Sequence, residues 1–195
     1  HGVTPTRLLG DHGLLGPMTT AVHATHLTAE DIRLLGDARA FASFCPTTER
    51  DLGDGIGPSR ALHDAGAVLT LGSDSHAVID PFDEMRALEL DERLATQQRG
   101  HWTAAELIDA ATTDGHRSLD FPDAGAIAVG NRADLVTIDP ASPRTAGTGN
   151  DEHTAVFAAS AADVTHVVAD GRVVFDGDRA RVGRDLAAVI DRLWT

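Results

Sequence analysis

The chain contains no lysine and no tyrosine in its 195 residues, and all 16 of its cationic side chains are arginine. A Schiff-base lysine and the lysine of a phosphate-binding loop are therefore excluded within this chain. A single cysteine, Cys45, leaves no internal disulfide and points to an intracellular, cytoplasmic setting. Positive charge is scarce: 16 cationic residues face 30 acidic ones, for a formal net charge of -14. Such a surface repels nucleic acid and anionic membrane, so neither is expected as a partner. No run of about 18 apolar residues is present, and the first residues lack a basic segment followed by an apolar core. The sequence opens on His rather than Met, which makes a processed, truncated or excised chain the expectation. What is there is globular in balance, with 42% hydrophobic and 24% charged residues, against the low hydrophobicity of disordered chains. The length suits one ordinary domain or one and a half small ones.

The stretch Leu69-Thr70-Leu71-Gly72-Ser73-Asp74-Ser75-His76 organises the rest. An apolar, β-branched run enters a glycine, and an acid follows at once, as where a buried parallel strand ends at a pocket. A strand followed by a plain Ser/Asp turn or cap would read the same way. Upstream, Met18 to His23 reads as another strand. A helix from Ala29, with Thr28 as its N-cap and acids in its first turn, ends at Gly36. Arg39 to Cys45 is the next strand, ended by Pro46, and Thr47 to Gly57 reads as a long Gly/Asp-rich loop. A helix over Pro58 to Ala65 leads to the strand Val68 to Leu71. Asp80 and Pro81 then start a helix running to about Gln98. Strand starts at about 18, 39 and 68 suit consecutive βα units of a parallel sheet, and an eight-unit barrel of roughly 250 residues uses about 30 per unit.

Beyond this, a short helix candidate over Thr4 to Leu9 precedes the first strand. Thr103 and Glu106 form a capping box for a helix, and a shorter turn follows from His116 to Leu119. Gly125 to Asp139 is a turn leading into a strand, and Thr154 to Ser160 a short helix. Val164–Ala169 and Arg172–Phe175 flank Asp170-Gly171, a tight hairpin signal. A last helix, Arg184 to Trp194, aligns Leu186, Val189, Ile190 and Leu193 on one face.

His23 and Asp74 occupy matching places, the C-terminal ends of two strands, where parallel sheets gather ligands and chemistry. An imidazole and a carboxylate there could bind Zn²⁺ together, or one could bind it while the other handles a proton. The competing reading is a hydrogen-bonded core histidine and a capping aspartate. His23 and His26 would share a face only on a helix, which the β-branched run before them argues against. Cys45 reads as a buried structural thiol. Glu49 reads either as a solvated loop charge or as a group that orients the loop or touches a ligand.

Three stretches together carry a resemblance: Ala21-Val22-His23-Ala24-Thr25-His26-Leu27-Thr28, then Phe44-Cys45-Pro46-Thr47-Thr48-Glu49 with Leu52-Gly53-Asp54-Gly55, and Gly72-Ser73-Asp74-Ser75-His76. They resemble the amidohydrolase superfamily, and within it the formimidoylglutamate deiminase family, because related deaminases usually carry Asn where Glu49 stands. Gly125 to Asp139 and Asp170 to Val174 resemble strands of the small β-domain that these enzymes append to their barrel. The resemblance implies an α/β fold: the C-terminal part of a (β/α)8 TIM barrel, about units six to eight, plus the later strands of an appended β-sandwich. The corresponding boundaries are 1–122 for the partial barrel, 123–183 for part of the β-sandwich and 184–195 for a C-terminal helix.

It further implies hydrolytic deimination of N-formimidoyl-glutamate to N-formyl-glutamate and ammonia, a step of histidine degradation, assisted by one divalent metal, expected to be Zn²⁺. In that picture His23 shuttles a proton, Asp74 ligates the metal and helps deprotonate water, and Glu49, Ser73, Ser75 and His76 are supporting or substrate-side residues. The family's His-x-His after the first strand, and its His with a Glu three residues on after the fifth, are absent from this sequence. The expected partners are therefore a small-molecule substrate, the N-terminal half of the enzyme and, when complete, a second copy in a homodimer. Alone, the chain is expected to be inactive. Two rival expectations stand beside this one. The first is a superfamily deaminase acting on a cyclic amidine or nucleobase. The second is a non-catalytic truncated barrel serving as an assembly module.

Overall fold

A computed structural model describes residues 1–75 and 78–194. The chain is an α/β protein with two three-stranded sheets. The first comprises β1 (Thr20–Val22), β2 (Phe41–Phe44) and β3 (Val68–Leu71), parallel and in sequential order. Phe41 stands opposite both Thr20 and Val68, so the three strands run in step and end at one edge. Parallel strands need covering on both faces, and Phe41, Ala42, Phe44, Leu69 and Thr70 are all buried.

The connections are helical. Before the sheet, α1 (Pro5–Asp11) has Thr4 as its N-cap and continues through Gly10 to Asp11, past the expected end at Leu9. Between β1 and β2 lies α2 (Ala29–Asp37), whose Thr28 and Asp31 form a reciprocal capping box. Between β2 and β3 lie α3 (Pro46–Leu52) and α4 (Ser59–Asp64). The helix α3 corrects the expectation of an open loop over Thr47 to Gly57. Pro46 ends the strand, but as the first helical residue it loses no hydrogen bond and its fixed φ favours the turn. A side chain at Gly36 would meet the Ala65 carbonyl oxygen at 2.2 Å, so the end of α2 lies directly against the turn after α4.

After β3 comes α5 (Pro81–Thr96), capped by the Asp80 carboxylate, which accepts from the Phe82 and Asp83 amides. Phe82, Met85 and Leu88 put one face of α5 into the core, while three of its acids are buried as well. Glu84 accepts from the Thr47 amide at 3.0 Å and from the Thr47 hydroxyl. Glu92 accepts from the Ser59 hydroxyl at 2.8 Å and the Arg60 amide at 2.7 Å. Glu89 accepts from the Gly100 and Trp102 amides at 2.9 and 2.7 Å and pairs with Arg93. Glu84 and Glu92 satisfy N-terminal amides that α3 and α4 leave without internal partners, while Glu89 holds the loop that leads into α6. Next come α6 (Ala104–Ala111), with the Thr103–Glu106 box formed as expected, and α7 (Thr113–Ser118).

The second sheet is antiparallel, in the order β4 (Leu135–Ile138), β5 (Val164–Ala169), β6 (Arg172–Phe175). Asp170 and Gly171 both have positive φ, 49° and 75°, as a tight hairpin of this twist requires. Before β5, Thr154–Ala158 forms a π-helical turn and Ala161–Asp163 a 3₁₀ turn. The chain closes with α8 (Arg179–Leu193), capped by Asp178 and starting five residues earlier than its apolar face suggests; Leu186, Val189, Ile190 and Leu193 are exposed on it. Among the described residues no helix is long and apolar enough to cross a membrane.

Candidate functional site

His23, Cys45 and the Gly72–Ser75 segment follow the last residues of β1, β2 and β3, so the parallel register brings them to one edge. His23 leaves its strand with φ 65° and Asp74 has φ 53°. Both lie in the left-handed region, which His and Asp enter more readily than most side chains. The His23 amide donates to the Ser43 carbonyl at 2.8 Å, holding the turn to the neighbouring strand. The result brings His23 Nε2 to 3.7 Å from Asp74 Oδ2. That is too long for the two to satisfy one another, yet short enough for both to reach a single reacting atom.

The helix α3 joins the two tips. Glu49, 4% exposed, places Oε1 3.3 Å from His23 Nδ1 on one side. The same oxygen accepts the Cys45 amide at 2.8 Å. Thr48, fully buried, reaches the other side: its hydroxyl donates to the Ser73 carbonyl at 2.7 Å and accepts the Ser75 amide at 3.1 Å. The Ser75 hydroxyl lies 3.0 Å away. Thr48 thus anchors the segment that carries Asp74. Nothing in the sequence around Thr48 signals this role, because its partners Ser73 and Ser75 come from a distant loop. Burial raises the Glu49 carboxyl above its ordinary range, against the lowering effect of the Cys45 amide and His23. Burial, with the negative charges of Glu49, Asp74 and Glu84, pushes the Cys45 thiol up to about 12. A thiol held protonated is a poor nucleophile, in keeping with a structural role.

Of the remaining candidates, Ser73 contributes a backbone carbonyl to Thr48 and Ser75 its amide, while His76 lies outside the described residues. His26 is exposed in the loop between β1 and α2, beside the loop that carries Gly55. As a metal site, the edge offers the donor types zinc takes, an imidazole nitrogen and a carboxylate oxygen, but two such atoms where a mononuclear site uses three or four. Among the described residues, the group of three potential ligands within mutual reach is Asp151, Glu152 and His153, exposed on the loop before the π-helical turn. The edge therefore fits part of a metal site.

The sequence profile of the Amidohydrolase family matches residues 1–174. The chain belongs to the amidohydrolase family. Within the family, it is 33% identical over 192 residues to a 5-methylthioadenosine/S-adenosylhomocysteine deaminase of Halobacterium salinarum, covering 97% of this chain. It is also 33% identical over 202 residues to a formimidoylglutamate deiminase of Pseudomonas aeruginosa, covering 98% of it. The crystal structure of an adenosine deaminase from Xanthomonas campestris with bound zinc superposes at a TM-score of 0.88 and 29% identity, over 98% of this chain and 46% of that one. The chain spans 44% of the length of each of the two curated relatives.

Proposed function

We infer that this chain supplies the proton-handling edge of a metal-dependent hydrolytic deaminase, the barrel units that end in His23 and Asp74. The observation that carries this reading is the 3.7 Å approach of His23 Nε2 to Asp74 Oδ2 at the C-terminal tips of parallel strands. In the reaction proposed, water adds to an amidine carbon, the C=N bond opens onto nitrogen, and the tetrahedral adduct expels ammonia as the carbonyl forms. The attacking water must lose one proton as it adds and its second as the carbonyl forms, and the departing nitrogen must gain both to leave as ammonia. His23 is placed to carry protons from that oxygen to that nitrogen, a transfer that contributes typically 10²–10⁴-fold to rate. Asp74 would hold the metal together with ligands from outside the described residues, and the metal's Lewis acidity would make the water acidic near neutral pH. Glu49 and Thr48 position the two tips. Cys45 stays out of the chemistry.

The substrate proposed is N-formimidoyl-glutamate, supported by the Cys45-Pro46-Thr47-Thr48-Glu49 stretch and by likeness to the Pseudomonas enzyme. The second reading is an adenosine-type deaminase, favoured by equal identity to the Halobacterium deaminase. Both substrates present an amidine carbon, so the same edge serves either. The test is ammonia release by the full-length polypeptide that carries these residues, with N-formimidoyl-glutamate assayed against 5-methylthioadenosine and S-adenosylhomocysteine. Preference for the first supports the formimidoyl reading, and preference for either nucleoside overturns it in favour of the second. His23→Asn and Asp74→Asn should each lower kcat/KM by at least about 100-fold on the preferred substrate. Wild-type-like turnover in either variant would refute the proposed proton path.

A further inference from the structure

One side chain in the site has more than one reason for its position. Glu49 is buried, carries one oxygen between two partners, and meets His23 at Nδ1, the ring nitrogen away from Asp74. Its Oε1 already accepts the Cys45 amide at 2.8 Å, so that oxygen acts as an acceptor. Any proton that Glu49 might carry would sit on the other oxygen. The neighbouring His23 Nδ1, 3.3 Å from the same Oε1, must then be the nitrogen that bears hydrogen. A neutral imidazole has one N–H, so fixing it at Nδ1 leaves Nε2 with a free lone pair. Nε2 is the nitrogen that stands 3.7 Å from Asp74.

We propose that Glu49 is a positioning residue that locks His23 in its Nδ1–H tautomer and fixes the ring plane, so that Nε2 faces the reacting centre as a proton acceptor. The Cys45 amide is the second half of the lock. It ties the carboxylate back to the N-terminus of its own helix, so Glu49 cannot turn away without leaving a buried N–H without an acceptor. The backbone adds to the effect: with φ 65° at His23 and 47° at Ala24, the ring leaves the strand along a direction that two successive left-handed residues impose. The opposite tautomer would place a hydrogen on Nε2, turn it into a donor toward Asp74, and remove the acceptor that the deaminase reading requires. Only the catalytic consequence rests on that reading; the tautomer follows from the hydrogen bonds.

The experiment is nitrogen NMR of the metal-loaded, full-length polypeptide labelled at histidine, recorded with the ring neutral and with His23 assigned by comparison with His23→Asn. The expected wild-type spectrum shows a protonated Nδ1 and an unprotonated Nε2. Glu49→Leu should shift His23 toward the Nε2–H form or a mixture, and lower kcat by roughly 10- to 100-fold with little change in KM, the range typical of groups that orient a reacting imidazole. Glu49→Gln keeps an amide oxygen where both bonds converge; it should retain the Nδ1–H form and recover most of the activity lost in Glu49→Leu. A wild-type Nε2–H tautomer would overturn the proposal, as would a Glu49→Leu spectrum identical to wild type or a Glu49→Gln spectrum that matches Glu49→Leu. If the tautomers behave as expected but no amidine is hydrolysed, the lock is upheld and the deaminase reading alone fails.

Discussion

Replacing Glu84 is the most direct test of how the site is held. Its side chain is 1% exposed, and its two oxygens accept from the amide and hydroxyl of Thr47, the second residue of α3. In Glu84→Ala the Thr47 hydroxyl can rotate to another partner, but the buried Thr47 amide is left without an acceptor, and an orphaned buried donor costs about 1–3 kcal/mol. Loss of one buried methylene adds about 0.8 kcal/mol. The expected destabilisation is about 2–4 kcal/mol, or a fall in Tm of roughly 4–16 °C for a chain of this size. Glu84→Gln behaves differently. The amide oxygen accepts the Thr47 N–H, and the amide nitrogen donates to the Thr47 hydroxyl, which can reverse its role. Burial also raises the Glu84 carboxyl above its ordinary range, only partly offset by Thr47. Its ionised form is thus disfavoured by folding, and the stability it contributes is greatest below the unfolded pKa and declines as pH rises through the folded value. The glutamine variant should therefore gain on wild type as pH rises from about 4 to 7. Thermal unfolding of the three proteins across that range measures both effects. If Glu84→Gln costs as much as Glu84→Ala, attraction between the charge and the N-terminus of α3 outweighs the hydrogen-bond count, and the reasoning fails.

Thr48→Val keeps the shape of the side chain and removes the hydroxyl that binds Ser73 and Ser75. If Asp74 holds the metal as proposed, the change should weaken zinc affinity of the full-length polypeptide by roughly 10-fold, as loss of groups that orient a metal ligand does; competition with a chelating dye would measure it, and unchanged affinity would remove Thr48 from the site. Asp163, buried and bridged bidentately by Arg144 at 2.8 Å to each oxygen, has its carboxyl held well below the usual range, first by Arg144. Its stabilisation is fully present above the unfolded carboxylate value and is lost as pH falls toward the folded one. Asp163→Asn should therefore flatten the decline of Tm below about pH 4, and an unaltered acid limb would contradict the assignment.

The elements that were legible in the sequence are those that local residues specify. Thr28 and Thr103 announce helix starts because their caps lie within three residues, and Asp170-Gly171 announces a hairpin because two left-handed residues suffice. His23 and Asp74 were legible as site candidates because strand ends in a parallel sheet share an edge. The helix α3 was not, since Thr47-Thr48-Glu49 carries little helical signal and its N-terminal acceptor, Glu84, lies 37 residues away. Thr48 was missed for the same reason: its hydroxyl gains a role only through a loop 25 residues downstream. The helix α8 starts before its apolar face because Asp178 caps it through the Arg181 amide, a signal upstream of the hydrophobic pattern.

These non-local contacts form one chain of support, which sets a quantitative expectation. His23 and Asp74 both sit in left-handed backbone, a conformation that costs of order 1–3 kcal/mol per residue unless the surroundings fix it. What fixes it comes from consecutive residues of α3, Glu49 on the His23 side and Thr48 on the Asp74 side. The start of α3 is in turn held by Glu84 from α5. Glu84→Ala and Thr48→Val should therefore not act independently. Once the first turn of α3 is released, the Thr48 hydroxyl no longer has a fixed relation to Ser73 and Ser75, and removing it matters less. The double variant should be less destabilised than the singles added together, by about 0.5–3 kcal/mol. Glu92→Ala, which releases α4 at Ser59 and Arg60, shares no partner with Thr48, and that pair should add within about 0.5 kcal/mol. Equal coupling in both cycles would mean that the site is stabilised by the fold as a whole; coupling confined to the Glu84 cycle would place the control of the His23–Asp74 geometry in the first turn of α3.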